Sequence, residues 1–420
     1  MTDKDLFNSG QYNEIIKKYK GREKELELWN LYWFSRSYYK IKEYNESIRI
    51  YELYKNLNPK NDNLKNAIIW AFYYVMKSNK NKVSILKFAN YIINNCKQED
   101  FSPFQNTVEF VIKFLENEKE VPNKKELYEW LIKLNPDLLS KEPYITQKDG
   151  KSIELSSKHE KYYASKSKYE FDLNLYNECI ETCKIALKNI YKFHTYNDVW
   201  FKFKMSKALK EIGKINDAKE ILEKLCKIHK HFAIKSKLGD ILIELGDREQ
   251  ATRFYYQGLV SKVGSLGNKV TLIEKVADVL KQNSDLENAK LNYLLVKKIR
   301  EKNEWGISTN LMNKINNLKH VELKINENEL INTCTSTWYN VYCNSLEKGE
   351  GKVTFLFNNN RGGFIEFQDK NIYFNINEMK NYKINDLLNK TVKFNIIDGY
   401  DKKKKEIQKE AINIQIIKDE

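Results

Sequence analysis

From Leu6 to about Asn303, apolar residues recur at spacings of three and four, the mark of amphipathic helices buried along one face. Short polar breaks divide the periodic runs, as they do between the two helices of a hairpin. After Gly349 the period drops to two, and β-branched and aromatic residues take over. Five strands are predicted there: Lys352–Phe357, Gly363–Phe367, Asn371–Ile376, Thr391–Ile397 and Ala411–Ile417. Two stretches follow neither period. Pro136 to Ser157 reads as a loop between two arrays, or as an insertion. Glu304 to Glu350 reads as a connector, with a Thr-interrupted helix from Glu329 to Tyr342 and Trp338 as its anchor. The expected organisation is helical repeats over 1–136, a linker or insertion over 137–157, a second repeat block over 158–303, a connector over 304–348 and a β module over 349–420.

The breaks repeat one another. Gly10-Gln11-Tyr12-Asn13-Glu14-Ile15, Lys42-Glu43-Tyr44-Asn45-Glu46-Ser47 and Leu175-Tyr176-Asn177-Glu178-Cys179 share one pattern. Variants end at Ala218, Ala251 and Ala289. Outside a degenerate middle, neighbouring copies are 32, 39, 33 and 38 residues apart. A period near 34 suits stacked helical hairpins, none of which can bury its apolar face alone. In Leu31 to Pro59, residues Leu31, Phe34, Ser35 and Tyr38 fit a first helix, and Ser47, Tyr51 and Tyr54 a second. Lys124, Tyr128, Leu131 and Pro136 form a poorer copy. This series resembles the tetratricopeptide family, which implies a TPR-like α-solenoid and a bound protein partner. Trp29, Trp33, Trp70, Trp130 and Trp200 read as packing residues, with a partner groove as the other assignment.

The β module carries GKVTFLFNNNRGGFIEF from Gly351 to Phe367 and NIYFNIN from Asn371 to Asn377. These stretches resemble the cold-shock domain, which implies a five-stranded OB-type barrel binding single-stranded nucleic acid on exposed rings. Phe355 falls where that family has an exposed Trp. Arg361 matches its basic residue or the neighbour of that residue, Gly363 its glycine, Phe364 its stacking Phe and Tyr373 the first aromatic of the third strand. Asn375 stands at the His position. Gly362, or a one-residue gap, takes the place of one aromatic and Ile376 that of another, which leaves a platform of three rings: Phe355, Phe364 and Tyr373. Lys352, Arg361 and the run Lys402, Lys403, Lys404 and Lys405 are the expected phosphate contacts, the run lying in the loop between the last two strands. A solvated lysine loop, rings packed on the repeats, or a barrel turned to protein docking are the competing assignments.

Composition adjusts this picture. The 420 residues carry a formal net charge of +15, which suits phosphate-bearing partners, although a Lys-, Asn- and Ile-rich composition also produces it. The six cysteines, Cys96, Cys179, Cys183, Cys226, Cys334 and Cys343, form no metal-ligand spacing and read as free thiols of a cytoplasmic protein. No leader pattern opens the chain, and no apolar run is long enough for a membrane span. There is no phosphate-binding Gly-rich loop and no His-Glu-x-x-His. His229 and His231, two apart, cannot share a metal on one helix face. No cofactor and no catalysis are expected. The reading is a non-enzymatic adaptor, its repeats on a protein and its barrel on single-stranded nucleic acid, RNA ahead of DNA. The alternative is a protein-interaction scaffold, such as a component of a bacterial conflict system, with the barrel as a structural or docking module.

Overall fold

A computed structural model describes residues 1–57, 63–118, 121–323, 329–359, 361–378, 387–401, 404 and 406–417. Pro59 lies outside them. The chain divides into two compact units, Met1–Phe201 and Lys202–Glu420.

The first unit holds α1 (Asp3–Asn8), α2 (Tyr12–Tyr19), α3 (Leu28–Lys40), α4 (Tyr44–Leu57), α5 (Asn63–Ser78), α6 (Lys82–Asn95), α7 (Phe104–Glu116) and α8 (Lys124–Leu131). A two-stranded antiparallel hairpin follows, β1 (Tyr144–Lys148) with β2 (Lys151–Leu155), where the sequence shows no helical period. Then come α9 (Lys158–Asp172) and α10 (Tyr176–Asn189). Helix α11 (Asn197–Glu211) contains the division between the units. The second unit continues with α12 (Ile215–Ile228), α13 (Phe232–Glu244), α14 (Arg248–Leu259), α15 (Val270–Gln282), α16 (Leu286–Lys302), α17 (Thr309–Asn316) and α18 (Leu330–Asn344). A β-barrel ends it.

Helices pair as hairpins: α3 with α4, α9 with α10, α13 with α14 and α15 with α16. The repeated breaks are their turns. Gly10, Lys42, Asn174, Gly213, Gly246 and Ser284 all adopt φ between 61° and 85°. In each break the following N–H reaches back five residues, as from Glu43 to Tyr38 O at 3.0 Å and from Asp247 to Leu242 O at 2.9 Å. This is the Schellman closure of a helix end, so the sequence repeat is a repeat of C-caps. A second regularity lies twelve residues before five of the six markers. Ser35/Ser47, Ser167/Cys179, Ser206/Ala218, Gly239/Ala251 and Ala277/Ala289 are all buried small residues. They sit where the helices of a hairpin cross: Ser35 Oγ donates to Ser47 O at 2.8 Å, and a Cβ on Gly239 would stand 2.4 Å from the Tyr255 ring. The fold is thus a TPR-like array of helical hairpins followed by a closed barrel. Trp130 is buried as expected of a packing residue, but Trp29 is 69% exposed, its indole edge-on to Tyr32.

The barrel strands are β3 (Glu347–Leu356), β4 (Gly362–Phe367), β5 (Lys370–Asn375), β6 (Thr391–Asp401) and β7 (Glu406–Ile416). They close in the order β3-β4-β5-β7-β6, antiparallel except for β5 beside β7. The last two strands are longer than the sequence suggests, because β6 and β7 form one hairpin whose tip is polar and so escapes the alternation test. Val353, Ile365, Ile372, Phe374, Val392, Phe394, Ile396 and Ile414 fill the interior. The connector seats the barrel on the repeats of its own unit. Trp338 of α18 is buried, and its indole N–H donates to Asn292 Oδ1 at 2.9 Å. Asn395 of β6 donates to Cys343 O at 2.8 Å, and Ile412 of β7 joins the helical core.

Candidate nucleic-acid interface

Strand alternation alone would send Phe355 inward, since Val353, two residues earlier, is fully buried. A β-bulge prevents this. Val353 pairs with Ile365 and Phe355 with Phe364, so one extra residue on β3 turns Phe355 out. Leu356 then faces the core, and Phe357 follows Phe355 outward. Across the sheet Phe364 pairs with Tyr373. Phe355, Phe364 and Tyr373 therefore form one row over β3, β4 and β5, with ring centroids 6.3 and 6.4 Å apart. Phe355 is 50% exposed; Phe364 and Tyr373 are half-buried.

Phe357 is a fourth ring, 5.3 Å from Phe364 and 6.1 Å from Tyr373, so the platform exceeds the three rings read from sequence. Phe357 stands two residues beyond Phe355, just past the end of β3. Gly363 lets β3 and β4 close beneath the row: a Cβ, on the core side with Leu356 and Phe374, would stand 2.1 Å from Phe355 O.

The polar candidates surround the row unevenly. Lys352 is exposed and pairs with Glu366, two residues along β4 from Phe364. Arg361, also exposed, ends the β3–β4 turn, and its carbonyl accepts the Ile376 N–H at 3.1 Å, beside Asn375. Asn375 is half-buried next to Tyr373 on the outer face of β5, and its Oδ1 accepts the Asn377 N–H at 2.9 Å. Lys404 is exposed at the β6–β7 tip, where its N–H donates to Asp401 and its amine lies 3.6 Å from Glu406. Glu410 pairs with Tyr373. At about 3.3 Å per residue the start of β7 at Glu406 lies about 13 Å along from that point. Lys402, Lys403 and Lys405 lie outside the described residues.

Tyr373 and Asn375 also line a cleft of about 660 Å³ between the barrel and the ends of α12 and α14. Burial pushes the Tyr342 phenol in its wall up to about 12 and holds the Lys235 amine below its ordinary value. Among the described residues no group of His, Cys, Asp or Glu could hold a metal, and no helix is long and apolar enough to cross a membrane. None of the six cysteines is in a disulfide, and four are buried.

The fold and the ring row define a class: a helical-repeat protein with a small terminal barrel that presents aromatic surface. A family model described as "Domain of unknown function (DUF7017)" matches residues 199–335, from α11 into α18 and short of the barrel. No curated protein matches the chain. Similar solved structures include BtubC (BKLC) from P. vanneervenii, 12% identical over 59% of this chain and 100% of that one, with a TM-score of 0.37. A putative kinesin light chain from Podosopora anserina with TPR-like repeats is 12% identical over 54% and 99%, at 0.30. The Cut9-Hcn1 hetero-tetramer is 9% identical over 79% and 59%, at 0.33. At TM-scores below 0.5 none of these likenesses carries an argument.

Proposed function

We propose that this chain is a non-enzymatic cytoplasmic adaptor whose helical repeats hold a protein partner and whose barrel holds single-stranded nucleic acid, RNA ahead of DNA. The observation that carries the reading is the row of four neighbouring rings on the outside of the barrel. Apolar rings left in water cost solvation and give the fold little in return. Unstacked bases offer matching flat surfaces, each stack contributing about 1–3 kcal/mol. The strand order, with β3 paired to both β4 and β6 and β5 parallel to β7, supports an OB-type reading of the barrel. In that fold the second and third strands, and the loops after the first and fourth, bind oligonucleotides. On that reading Phe364 of β4, Tyr373 of β5, Arg361 of the β3–β4 turn and Lys404 of the β6–β7 tip are the corresponding residues. The resemblance to the cold-shock domain supports the same face, and six cysteines outside any disulfide suit a reducing compartment.

The test is fluorescence anisotropy of the full chain with single-stranded RNA and with a duplex of the same sequence. Stacking requires splayed bases, so the single strand is expected to bind and the duplex much more weakly. Equal binding of both would reduce the interaction to net charge, and no binding of either at low salt would remove the assignment. A second reading has its own observation. Ile412 and Asn395 tie the barrel to the helical core, as a structural cap would be tied. On that reading the repeats act alone and neither nucleic acid binds.

A further inference from the structure

The ring row does not end in open solvent. Its last member, Tyr373, also lines the cleft between the barrel and the repeats, together with Asn375 and Tyr400 on the barrel side. Lys227, Lys230 and Lys262 face them from the ends of α12 and α14. The volume of about 660 Å³ lies within the range of about 300–1,000 Å³ typical of small-molecule sites. All three lysines are exposed. Two of them meet barrel carboxylates: Lys230 lies 3.3 Å from Glu410 and Lys262 3.1 Å from Glu378. Both carboxylates are far more buried than their lysines, so the acids fix the amines at the mouth while leaving most of each ammonium in water. Lys235 is different: it is 3% exposed and its amine donates to Cys226 O at 3.2 Å, so it is committed to the end of α12.

We propose that this cleft takes a nucleotide of the bound strand beyond Tyr373, the base lying among Tyr373, Tyr400 and Asn375 and the flanking phosphates reaching Lys227, Lys230 and Lys262. The inference rests on the proposed nucleic-acid reading of the barrel and adds to it a specific claim. The repeat array becomes part of the nucleic-acid site instead of serving only a protein partner. Tyrosine faces and an amide suit a base, and exposed cations at the rim suit phosphates. In the unliganded protein the carboxylates of Glu378 and Glu410 stand in for those phosphates. Binding exchanges one anion for another.

That exchange supplies the test. The probe is a fluorescein-labelled single-stranded RNA of about 12 nucleotides, within the site size of one OB barrel. Its affinity for the full chain is measured over a salt series. Lys227→Gln, Lys230→Gln and Lys262→Gln together are expected to weaken binding about ten- to hundredfold near 0.1 M salt. The slope of log K against log salt should become shallower by about 2, at about 0.7 per single-strand phosphate contact. Glu378→Gln with Glu410→Gln is expected to tighten binding, because the lysines lose their competing anions. If the acid variants weaken binding as the lysine variants do, the pairs merely pin the barrel and the inference is overturned. If the lysine variants change neither affinity nor slope while Phe355→Ala weakens binding, the ring row stands and the cleft does not. If the unaltered chain fails to bind at low salt, both fall.

Discussion

Phe355→Ala isolates the stacking contribution because the ring is already half in water. Full burial of a Phe is worth about 1.5–3 kcal/mol, so removing a ring that is 50% exposed should cost the fold about 1 kcal/mol. Its neighbours at 5.7 Å (Phe357) and 6.3 Å (Phe364) keep their other contacts, and Val353 and Leu356 retain the inner side of the strand. Binding should suffer more. Loss of one base–aromatic stack costs about 1–3 kcal/mol, which is about five- to 150-fold in Kd. A neutral substitution displaces no counterion, so the plots of log K against log salt for the variant and the parent should run parallel. The assay is anisotropy with a labelled single strand over a salt series, with thermal melts as the control for folding. A Kd within twofold of the parent in a folded variant would refute the stacking argument. So would a changed salt slope, which would mean that the site works through charge.

Two further predictions concern the scaffold. His194 lies between Glu154 (Nε2 to Oε1, 2.6 Å) and the fully buried Glu160 (Nδ1 to Oε2, 2.8 Å), clasping the β1–β2 hairpin to the start of α9. The hydrogen bonds it donates, to Glu154 first and Glu160 second, raise its pKa. The clasp should therefore be fully formed below the unfolded value of about 6.5 and weaken as pH rises through the higher folded value. Hydrogen exchange of the hairpin amides should accelerate across that window in the parent and lose its pH dependence beyond intrinsic exchange in His194→Gln; identical pH profiles would count against the clasp. Gly239→Ala places a methyl 2.4 Å from the Tyr255 ring at a helix crossing. Overpacking should cost about 1–3 kcal/mol, visible as a lower Tm, and an unchanged Tm would show that the crossing can widen freely.

The repeat architecture was legible because its causes are local. A left-handed residue must end each first helix and a small one must stand at each crossing, so Gly10, Gly246, Ser47 and Ala251 announce the hairpins at fixed spacings. Alternation likewise announced the five strands, and the rings Phe355, Phe364 and Tyr373 could be named from their order along the chain. Other features depend on residues distant in sequence. The bulge that turns Phe355 outward is a mismatch between two strands, and neither strand alone contains it. Phe357 joins the platform only because that bulge sets its parity. The exposure of Trp29 depends on which neighbours reach it, and a hydrophobic period cannot state that. The cleft is the clearest case, since Lys230 and Glu410 are 180 residues apart and meet at 3.3 Å. Short-range backbone preference and burial period are written into the sequence directly. Which faces meet is decided by the packing of whole elements, here by Trp338 and Asn395 seating the barrel on the helical core.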